Sequence, residues 1–405
     1  MYDLCVVGGG AAGMSAAITA AELGKKVIIV DKNEKPGKKI YATGNGRCNL
    51  TNRYMNYDDC FNSYNCDYSI FLSRAIGACA DKQIDEFMEH LGLLTYTNPN
   101  GYVYPMSEQA SSVVWALSDR LKSLNVKILN KTEICSIDRI NGSFVLKHVN
   151  GEITASEVVL SCGGRCYTKL GGSKTGYELA EKLGHTILPL KPALCGMEID
   201  NYPKELSGIR AKAKAGLYDR DSNCTACEQG EIQFTDYGLS GILIFNMSSK
   251  AGKMMEKDAG AYISVSFIND EIRESVRAMF DYESQRTLMG VLNGIVNDRI
   301  AGYIVNYLGY SRKTPKSDIS RTKWDQLLNL LTDMRFYIKG LRDFEAAQVT
   351  SGGVDIGEIN PDTLMSKRVP GLYFAGEMLD IDGKCGGYNL TFAILSGIKA
   401  GKGLK

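Results

Sequence analysis

The sequence predicts an α/β protein in which a domain with a buried parallel sheet is interrupted by a β-rich segment and a helical segment. The first 32 residues read as strand, glycine turn, helix and strand. Residues 187–250 carry short β-branched runs broken by Gly, Pro and Asn, which predict antiparallel strands. From about Asp270 the apolar residues recur with a helical period.

The overall composition bounds what the protein can be. A chain of 405 residues is long for one core, so we expect two or three domains. A net charge of +1 gives no general attraction to nucleic acid or to an anionic membrane. No apolar run reaches the roughly 18 residues of a membrane span, and the start of the chain lacks the pattern of a signal peptide. The twelve Cys show no disulfide framework. We therefore predict a cytoplasmic protein without nucleic acid or membrane partners.

The amino-terminal elements follow one another without a linker. Residues 4–7 are a short apolar run suited to a buried parallel strand, and residues 27–30 are a second one. Between them, residues 11–23 are rich in Ala and predict a helix, which Gly24 would end. This order is that of a βαβ unit.

The turn between strand and helix has the pattern G-x-G-x-x-G, formed by Gly8, Gly10 and Gly13. The first glycine permits the tight turn, the second lets a pyrophosphate approach the backbone, and the third brings helix and strand together. Asp31 follows the second strand, where an acidic residue accepts hydrogen bonds from a ribose. Together these features predict a dinucleotide site with the phosphates at the helix start.

A polar loop after Asp31 favours FAD over NAD. The stretch GKKIYATGNGRCNLTN, residues 37–52, supplies Gly, Asn, Thr and cationic side chains where an NAD domain continues into regular helices and strands. Such a loop can wrap a cofactor that extends past the first strand.

Two later segments agree with FAD. Residues 158–160 read as a buried strand, Gly163 and Gly164 as a sharp turn, and residues 176–183 as a helix. Upstream, a β-pattern at residues 126–128 and Ile134 would lie beside an adenine.

The carboxyl-terminal segment repeats the strand and turn. Residues 372–375 form a buried strand ended by Gly376 and Glu377, and residues 386–389 open a helix that runs to Ala400. The positive end of that helix would stabilise a reduced, anionic flavin.

Several of these stretches resemble one bacterial family of NAD(P)/FAD-dependent oxidoreductases, the aminoacetone-oxidase-like or bile-acid-inducible reductase-like flavoproteins. The stretches are GKKIYATGNGRCNLTN, GYVYPMSEQAS, FTDYGLSG, TSGGVDIGEINPDTLMSK and GLYFAGEMLDIDGKCGGYNL. The resemblance covers nearly the whole chain and is weakest between about residues 250 and 330. It implies a two-dinucleotide-binding-type, Rossmann-like FAD domain interrupted by an inserted β-rich domain with a helical cap. Asp31 stands where the family more often has Glu.

On this basis we divide the chain into an FAD-binding domain at 1–186 and 351–405, a β-rich domain at 187–250 and 333–350, and a helical cap at 251–332. The residues expected to contact FAD are Gly8, Gly10, Ala11, Ala12, Gly13, Asp31, Lys32, Lys39, Thr43, Gly44, Asn45, Gly46, Arg47, Cys48, Asn49, Ile134, Ser161, Gly163, Gly376, Glu377, Gly386, Gly387, Tyr388, Asn389 and Leu390.

Three residues are candidates for the chemistry: Arg47 to polarise a carbonyl or stabilise reduced flavin, and Tyr388 and Lys384 beside the last glycine turn, where a tyrosine can act as a general acid. None of the three His falls in a glycine-rich motif. Residues 102–105 and 237–241 either contact substrate or are structural.

The cysteines and metal ligands give weaker signals. Cys48 and Cys385 lie in the two loops expected at the ring and could form a redox disulfide. The pairs Cys162/Cys166 and Cys224/Cys227 are equally weak candidates for such a role. The single C-x-x-C lacks the two further ligands that a structural zinc needs, so we predict no metal site.

The favoured function is reduction of a carbon–carbon double bond conjugated to a carbonyl. In that reaction N5 of reduced flavin gives hydride to the β-carbon and a protein acid protonates the α-carbon of a small organic substrate. The chain lacks a second G-x-G-x-x-G, so NAD(P)H would bind transiently as the electron donor. The alternatives are oxidation of a small amine such as aminoacetone, and an RNA-associated flavoprotein. Oligomeric state is not predicted.

Overall fold

This computed structural model describes residues 1–55, 63–65, 69–77, 79–256, 260–282 and 284–404. The chain divides into two compact units, residues 1–191 with 348–405, and residues 192–347. The buried apolar side chains of the described residues form a separate cluster within each unit. Each unit therefore has a core of its own.

The first unit is built on a seven-stranded sheet with helices on its faces. The strands of the whole unit, inside and outside this sheet, are β1 (Tyr2–Val7), β2 (Val27–Val30), β3 (Thr51–Asn52), β4 (Tyr64–Asn65), β5 (Thr95–Thr97), β6 (Tyr102–Pro105), β7 (Lys127–Leu129), β8 (Ile134–Ile140), β9 (Ser143–His148), β10 (Gly151–Leu160), β11 (Ile187–Ala193), β18 (Val349–Val354), β19 (Leu372–Phe374) and β20 (Asp382–Gly383). Its helices are α1 (Ala11–Glu22), α2 (Ser69–Ile76), α3 (Ala80–His90), α4 (Ala110–Ser123), α5 (Thr175–Lys182) and α11 (Tyr388–Lys402).

The strand order of the large sheet is β7-β2-β1-β10-β9-β8, with β19 also paired to β10. Strands β7, β2, β1, β10 and β19 run parallel, and β8 and β9 add an antiparallel meander to the first half of β10. Strands β1, β2 and β19 are buried almost throughout, as a sheet covered on both faces requires, whereas β7 at the end of the strand order is only partly buried. The predicted Rossmann-like α/β domain is confirmed.

The last helix packs closely on the first. A Cβ added to Gly397 would lie 2.2 Å from the Ala12 carbonyl oxygen, and one added to Gly401 would lie 2.6 Å from that of Ala16. Only glycine permits this approach of two helix backbones. The contact joins α1 to the second half of α11, so two helices from opposite ends of the sequence pack in one layer.

The second unit is a closed six-stranded antiparallel barrel with helices packed on it. Its strands are β12 (Met197–Ile199), β13 (Arg210–Tyr218), β14 (Cys224–Phe234), β15 (Gly238–Ser240), β16 (Tyr262–Ser266) and β17 (Met334–Leu341). Its helices are α6 (Ile242–Met255), α7 (Asp270–Ala278), α8 (Leu288–Leu292), α9 (Asp298–Tyr307) and α10 (Arg321–Thr332).

Two local predictions in this unit differ from the structure. The run ILIF, residues 242–245, was expected as a strand but is the first turn of α6. Gly241, with φ of 99°, ends β15 and lets the chain turn, after which Leu243, Met247 and Ala251 bury one helical face. Strand β16 also lies within the segment that was expected to be helical, and it closes the barrel between β13 and β17.

Candidate cofactor and substrate site

The carboxyl ends of four parallel strands meet at one edge of the large sheet. Gly8, Asp31 and Ser161 come directly after β1, β2 and β10, and Gly376 is the second residue after β19. In open α/β sheets this edge is where ligands bind. The structure thus brings together four of the residues that the sequence predicted for the cofactor, although they are spread over most of the chain.

The glycine turn has the shape that a pyrophosphate site needs. Gly8 has φ of 103°, and a Cβ there would lie 2.4 Å from the Ser161 carbonyl oxygen. A Cβ on Gly13 would lie 1.9 Å from the Gly8 oxygen, so helix and strand touch here. A Cβ on Gly10 would meet nothing within 4 Å. Gly10 therefore faces open space, where the backbone is accessible to a ligand.

The start of α1 has no side-chain cap. Its N-cap is Gly10, which has no side chain to accept from the first N–H groups at Ala11, Ala12 and Gly13. Unfilled N–H groups together with the positive end of the helix favour an anion. The residues present at this turn fit the diphosphate of a dinucleotide.

Asp31 is buried beside the turn and is already bonded to it. Its Oδ2 accepts from the Gly9 N–H at 2.6 Å, and its Oδ1 accepts from the Asn33 N–H at 2.7 Å. A carboxylate has about four acceptor positions, so it can still accept from a ribose hydroxyl. Asp31 thus shapes the glycine turn in addition to the role predicted for it.

The polar loop after β2 consists of two short 3₁₀ turns across a break. Gly44 and Asn45 adopt left-handed conformations, with φ of 56° and 54°. The Thr43 hydroxyl donates to the Ile40 carbonyl at 2.6 Å, and the Cys48 N–H donates to the Thr43 carbonyl at 3.0 Å. A Cβ on Gly44 would lie 2.8 Å from the Asn49 nitrogen. The Gly and Asn residues are therefore required by the backbone of this loop.

Arg47 extends from this loop over an aromatic ring. Its guanidinium carbon lies 4.9 Å from the centroid of Tyr104, which stacks on Tyr96 at 6.0 Å. Arg47 itself is exposed, while Tyr104 is buried. The contact holds a permanent positive charge near the surface of the site.

Strand β6 carries two tyrosines on one face, because Tyr102 and Tyr104 are two residues apart. Tyr104 lies under Arg47, and the Tyr102 ring approaches the last glycine turn, 3.1 Å from where a Cβ of Gly386 would stand. Burial raises the pKa of Tyr102, and neighbouring Cys385, Tyr104 and Tyr388 add to the rise. The strand thus links the two loops expected at the flavin ring, and its Tyr102 phenol stays protonated at neutral pH.

The start of α11 packs on strand β3. Gly387 has φ of 96°, and a Cβ there would lie 2.7 Å from the Thr51 backbone. The Thr391 hydroxyl donates to the Thr51 hydroxyl at 2.9 Å, and the Asn389 amide bonds both the N–H and the carbonyl of Gly383. These contacts fix the helix start that the sequence placed at the flavin.

Tyr388 and Leu390 flank Asn389 on that helix. The Tyr388 ring is buried edge-on to Tyr64 at 5.7 Å, and the Tyr64 hydroxyl donates to the Tyr388 carbonyl at 2.7 Å. Leu390 packs on the core while remaining partly accessible.

Lys39 and Glu377, both predicted to contact the cofactor, bind each other. The Lys39 Nζ lies 2.8 Å from Glu377 Oε2, and Glu377 Oε1 accepts from the Thr350 N–H at 2.8 Å. A Cβ on Gly164 would lie 2.3 Å from Glu377 Oε1. The pair therefore joins three chain segments around the strand ends.

The remaining predicted residues lie around this frame. Lys32 is half-buried and close to the Cys162 thiol, and Gly163 has φ of 73° with open space where a Cβ would be. Ile134 is the buried first residue of β8. Lys384 is half-buried, and its N–H donates to the Ser63 carbonyl at 2.8 Å. Gly46 has φ of 85°, which again requires glycine.

None of the described cysteines forms a disulfide. Cys48 is fully buried, and burial raises the pKa of its thiol to about 12; burial does the same for Cys162. A thiol with so high a pKa supplies almost no thiolate at neutral pH. The conceivable redox role of Cys48 has no support in its surroundings.

Some site residues were not singled out from the sequence. Thr350 acts through Glu377, which is distant in the chain, so no local pattern marks it, and the predicted turn at Gly163 and Gly164 gave no sign that Gly164 packs against Glu377. The alternation Tyr102-Val103-Tyr104 was a usable signal, since it places two phenols on one strand face.

The comparisons with known proteins agree with this geometry. A family model described as HI0933-like protein Rossmann domain matches residues 2–403. The chain is 34% identical to the 3-dehydro-bile acid delta(4,6)-reductase of Clostridium scindens over 99% of its length and 98% of that protein. It is 26% identical to the ribosomal RNA dihydrouridine synthase of Escherichia coli, over 97% of this chain and 95% of that protein.

Among solved structures, the 3-ketosteroid delta1-dehydrogenase of Sterolibacterium denitrificans superposes over 100% of this chain and 99% of its own, with a TM-score of 0.52 and 14% identity. At that identity the likeness supports the fold alone. In the described part of the chain, no helix has both the length and the apolar character to cross a membrane.

Proposed function

Because this chain belongs to the HI0933-like Rossmann family, we propose that it is an FAD-dependent reductase that saturates a carbon–carbon double bond conjugated to a carbonyl, with NAD(P)H as electron donor. The class, an FAD-dependent oxidoreductase, follows from the family and from the relative that shares 34% of its residues. The substrate chemistry, the donor and the roles of individual residues are the proposal.

One observation carries the cofactor assignment. Gly8, Asp31, Ser161 and Gly376 follow the ends of four adjacent parallel strands, beside a helix start without a side-chain cap. FAD, when bound, supplies hydride transfer between a nicotinamide and a substrate carbon. The Gly8–Gly13 turn would hold its diphosphate and Asp31 its ribose, while the loop at 43–49 and the start of α11 would lie along the ring.

The names of the relatives support the reaction class. A 3-oxo steroid with 4,6 unsaturation and a uracil ring both contain a double bond conjugated to a carbonyl. Reducing either requires hydride at the β-carbon and a proton at the α-carbon. Two relatives that act on such different molecules therefore share one chemical step, and we assign that step to this chain.

The protein's part in that step is to polarise the carbonyl and to deliver the proton. Arg47 can withdraw charge from the carbonyl, because its guanidinium is permanently protonated and exposed at the site. Tyr102 is our first candidate for the proton donor, since its ring faces the Gly386 turn and a phenol is protonated at neutral pH. Tyr388 is the second candidate, and Lys384 lies on the same turn.

The test separates the two half-reactions of flavin-loaded protein under anaerobic conditions. NADH or NADPH should bleach the flavin, and a 4-en-3-one or 4,6-dien-3-one steroid should restore its absorbance. In Tyr102→Phe we expect unchanged bleaching but restoration slowed by about a hundredfold, the usual size of a lost general acid. Tyr307→Phe, which changes an exposed phenol in the second unit, is the control.

The results of these half-reactions identify the proton donor and test the reaction itself. If Tyr388→Phe alone slows restoration, the proton comes from Tyr388. If no conjugated enone restores the flavin, the proposed reaction is wrong, and peroxide release with aminoacetone would then favour the amine oxidase.

The E. coli relative favours one further candidate, reduction of uridine in ribosomal RNA. Its chemistry is the same, but its substrate is a polyanion, and a net charge of +1 provides no general attraction to one. Dihydrouridine in ribosomal RNA, measured in cells with and without the gene, discriminates between the two. If dihydrouridine disappears from the ribosomal RNA of cells without the gene, reduction of uridine replaces the small-molecule reaction as the proposed function.

A further inference from the structure

The C-x-x-C sequence lies on a bulged strand of the barrel, away from the glycine turns. In a regular strand, residues three apart point to opposite faces. Here Tyr218 of β13 pairs with Cys224, while Leu217 pairs with Ala226, so β14 contains one extra residue. Past the bulge, Cys227 pairs with Gly216. The two cysteines therefore oppose residues two apart on β13 and share one face.

That face is the outer one. Both Cys224 and Cys227 are exposed, whereas Leu217, on the other face of β13, is fully buried in the barrel core. The bulge is fixed by the Thr225 hydroxyl, which donates to the Leu217 carbonyl at 3.2 Å. The Cys224 thiol donates weakly to the Ala226 carbonyl at 3.4 Å. Both sulfur atoms are accessible without unfolding.

Tyr218 forms one wall beside the thiols. Its ring lies over Gly216, where a Cβ would be 2.6 Å from the ring edge, and it stacks on Tyr262 at 5.2 Å and 9°. The Tyr218 hydroxyl and the Cys224 thiol are hydrogen-bonded, and Cys227 lies near the same phenol. Opposite the two thiols, Gly216 contributes no side chain and Tyr218 contributes its ring.

Two thiols on one strand face can be joined by a disulfide or by a bridging metal ion, and the two differ in the separation that they tolerate. Two strand residues span about 6.6 Å, which is near the upper limit of about 6.8 Å for the Cα atoms of a disulfide. A metal ion bridging two thiolates by bonds of about 2.3 Å lets the sulfur atoms stand up to about 4.6 Å apart. A bridging metal ion therefore tolerates a wider separation of the two thiols than a disulfide does.

We propose that Cys224 and Cys227 form a two-thiolate site for a soft divalent cation such as Zn²⁺ or Cd²⁺ on the outer face of the barrel. Water takes the positions for which the C-x-x-C lacks protein ligands, so this is a surface binding site and not the four-ligand structural zinc site that the sequence argues against. The Tyr218 hydroxyl hydrogen-bonds the Cys224 sulfur. Binding replaces two S–H protons with two metal–sulfur bonds and releases both protons, so affinity rises with pH. The site is independent of flavin chemistry.

The test is a titration of the reduced, full-length protein with Cd²⁺, followed by the near-ultraviolet absorbance of cadmium–thiolate bonds. We expect saturation at one tight ion per chain, which is lost in both Cys224→Ser and Cys227→Ser. Tyr218→Phe should weaken binding by about tenfold, as the loss of a group that orients a ligand does. Zn²⁺ in excess should compete with Cd²⁺ for the same site, because both ions bind thiolates and Cd²⁺ is the softer of the two.

Two exposed cysteines of the first unit provide matched controls, since Cys79→Ser and Cys135→Ser should retain the tight ion. The four cysteine variants should keep the wild-type melting temperature, because the altered side chains are exposed. A tight ion that persists in Cys224→Ser or Cys227→Ser overturns the proposal, as does the absence of tight Cd²⁺ binding to the wild-type protein.

Discussion

In the amino-terminal turn, Gly13 lacks a side chain where the protein backbone packs, and Gly10 lacks one where a ligand can approach. The missing side chain of Gly13 makes room for the protein itself, because the Gly8 carbonyl occupies the place of a Cβ. The missing side chain of Gly10 leaves open space. Gly13 is therefore needed for folding, and Gly10 leaves room for a ligand.

Substitution of these two residues should separate stability from binding. Gly13→Ala should lower the free energy of unfolding by about 1–3 kcal/mol or more through overpacking, despite the gain of about 1 kcal/mol in helix propensity. Gly10→Ala should cost less than about 1 kcal/mol, since it changes only an N-cap glycine. Denaturant unfolding of the two variants measures the difference, and equal losses would contradict this account of the turn.

Between elements, one buried histidine joins α5 to the carboxyl-terminal segment. His185 follows α5, with its Nδ1 at 2.9 Å from Glu358 Oε2 and its Nε2 at 2.8 Å from the Ser366 hydroxyl. Its ring lies edge-on to Phe374 at 4.7 Å. Burial lowers the pKa of His185, although Glu358 opposes the shift and Arg368 adds to it.

This histidine predicts acid sensitivity. Because the folded pKa is lowered below the ordinary 6.5, the unfolded chain takes up the proton first as the pH falls. The stabilisation is present above pH 6.5 and is lost below it, by at most about 1.4 kcal/mol per pH unit for one proton. His185→Gln cannot titrate, so its unfolding free energy should fall less than that of the wild type between pH 7 and pH 5. Parallel pH profiles would contradict the prediction.

Short-range patterns were sufficient for the elements around the site. Strands β1 and β2 and helix α1 are contiguous, and each shows its own period within a few residues. The run at 242–245 was misread because four apolar residues fit a strand as well as a buried helix; Met247 and Ala251 reveal the helical period only further on. The pairing of Lys39 with Glu377 spans 338 residues, and no local pattern contains it.

At the scale of the whole molecule, a barrel is inserted into a nucleotide-binding fold. The inserted domain was predicted from the resemblance to a known family, because the periodicity of residues 187–332 alone predicts only short strands followed by helices. The closed strand order of the barrel depends on pairings such as β12 with β17, which join residues far apart in the chain. The two separate apolar cores show that each unit buries its own side chains.

Residues 192–347 should therefore fold without the rest of the chain. We expect the isolated segment to show a cooperative thermal transition and the circular dichroism of a mixed helix and strand structure, because its described residues form five helices and a closed barrel without an unpaired edge. A segment that melts without a transition would contradict the independence of its core.

The most direct measurement is FAD binding to the flavin-free protein and to Gly10→Val, followed by the change in flavin fluorescence. The account predicts one FAD per wild-type chain, and weaker binding to Gly10→Val with a melting temperature lowered by no more than about 2–4 °C, because the added side chain fills only the open space before α1. A folded wild-type protein that binds no FAD, or a Gly10→Val variant that binds it equally well, would contradict the central claim.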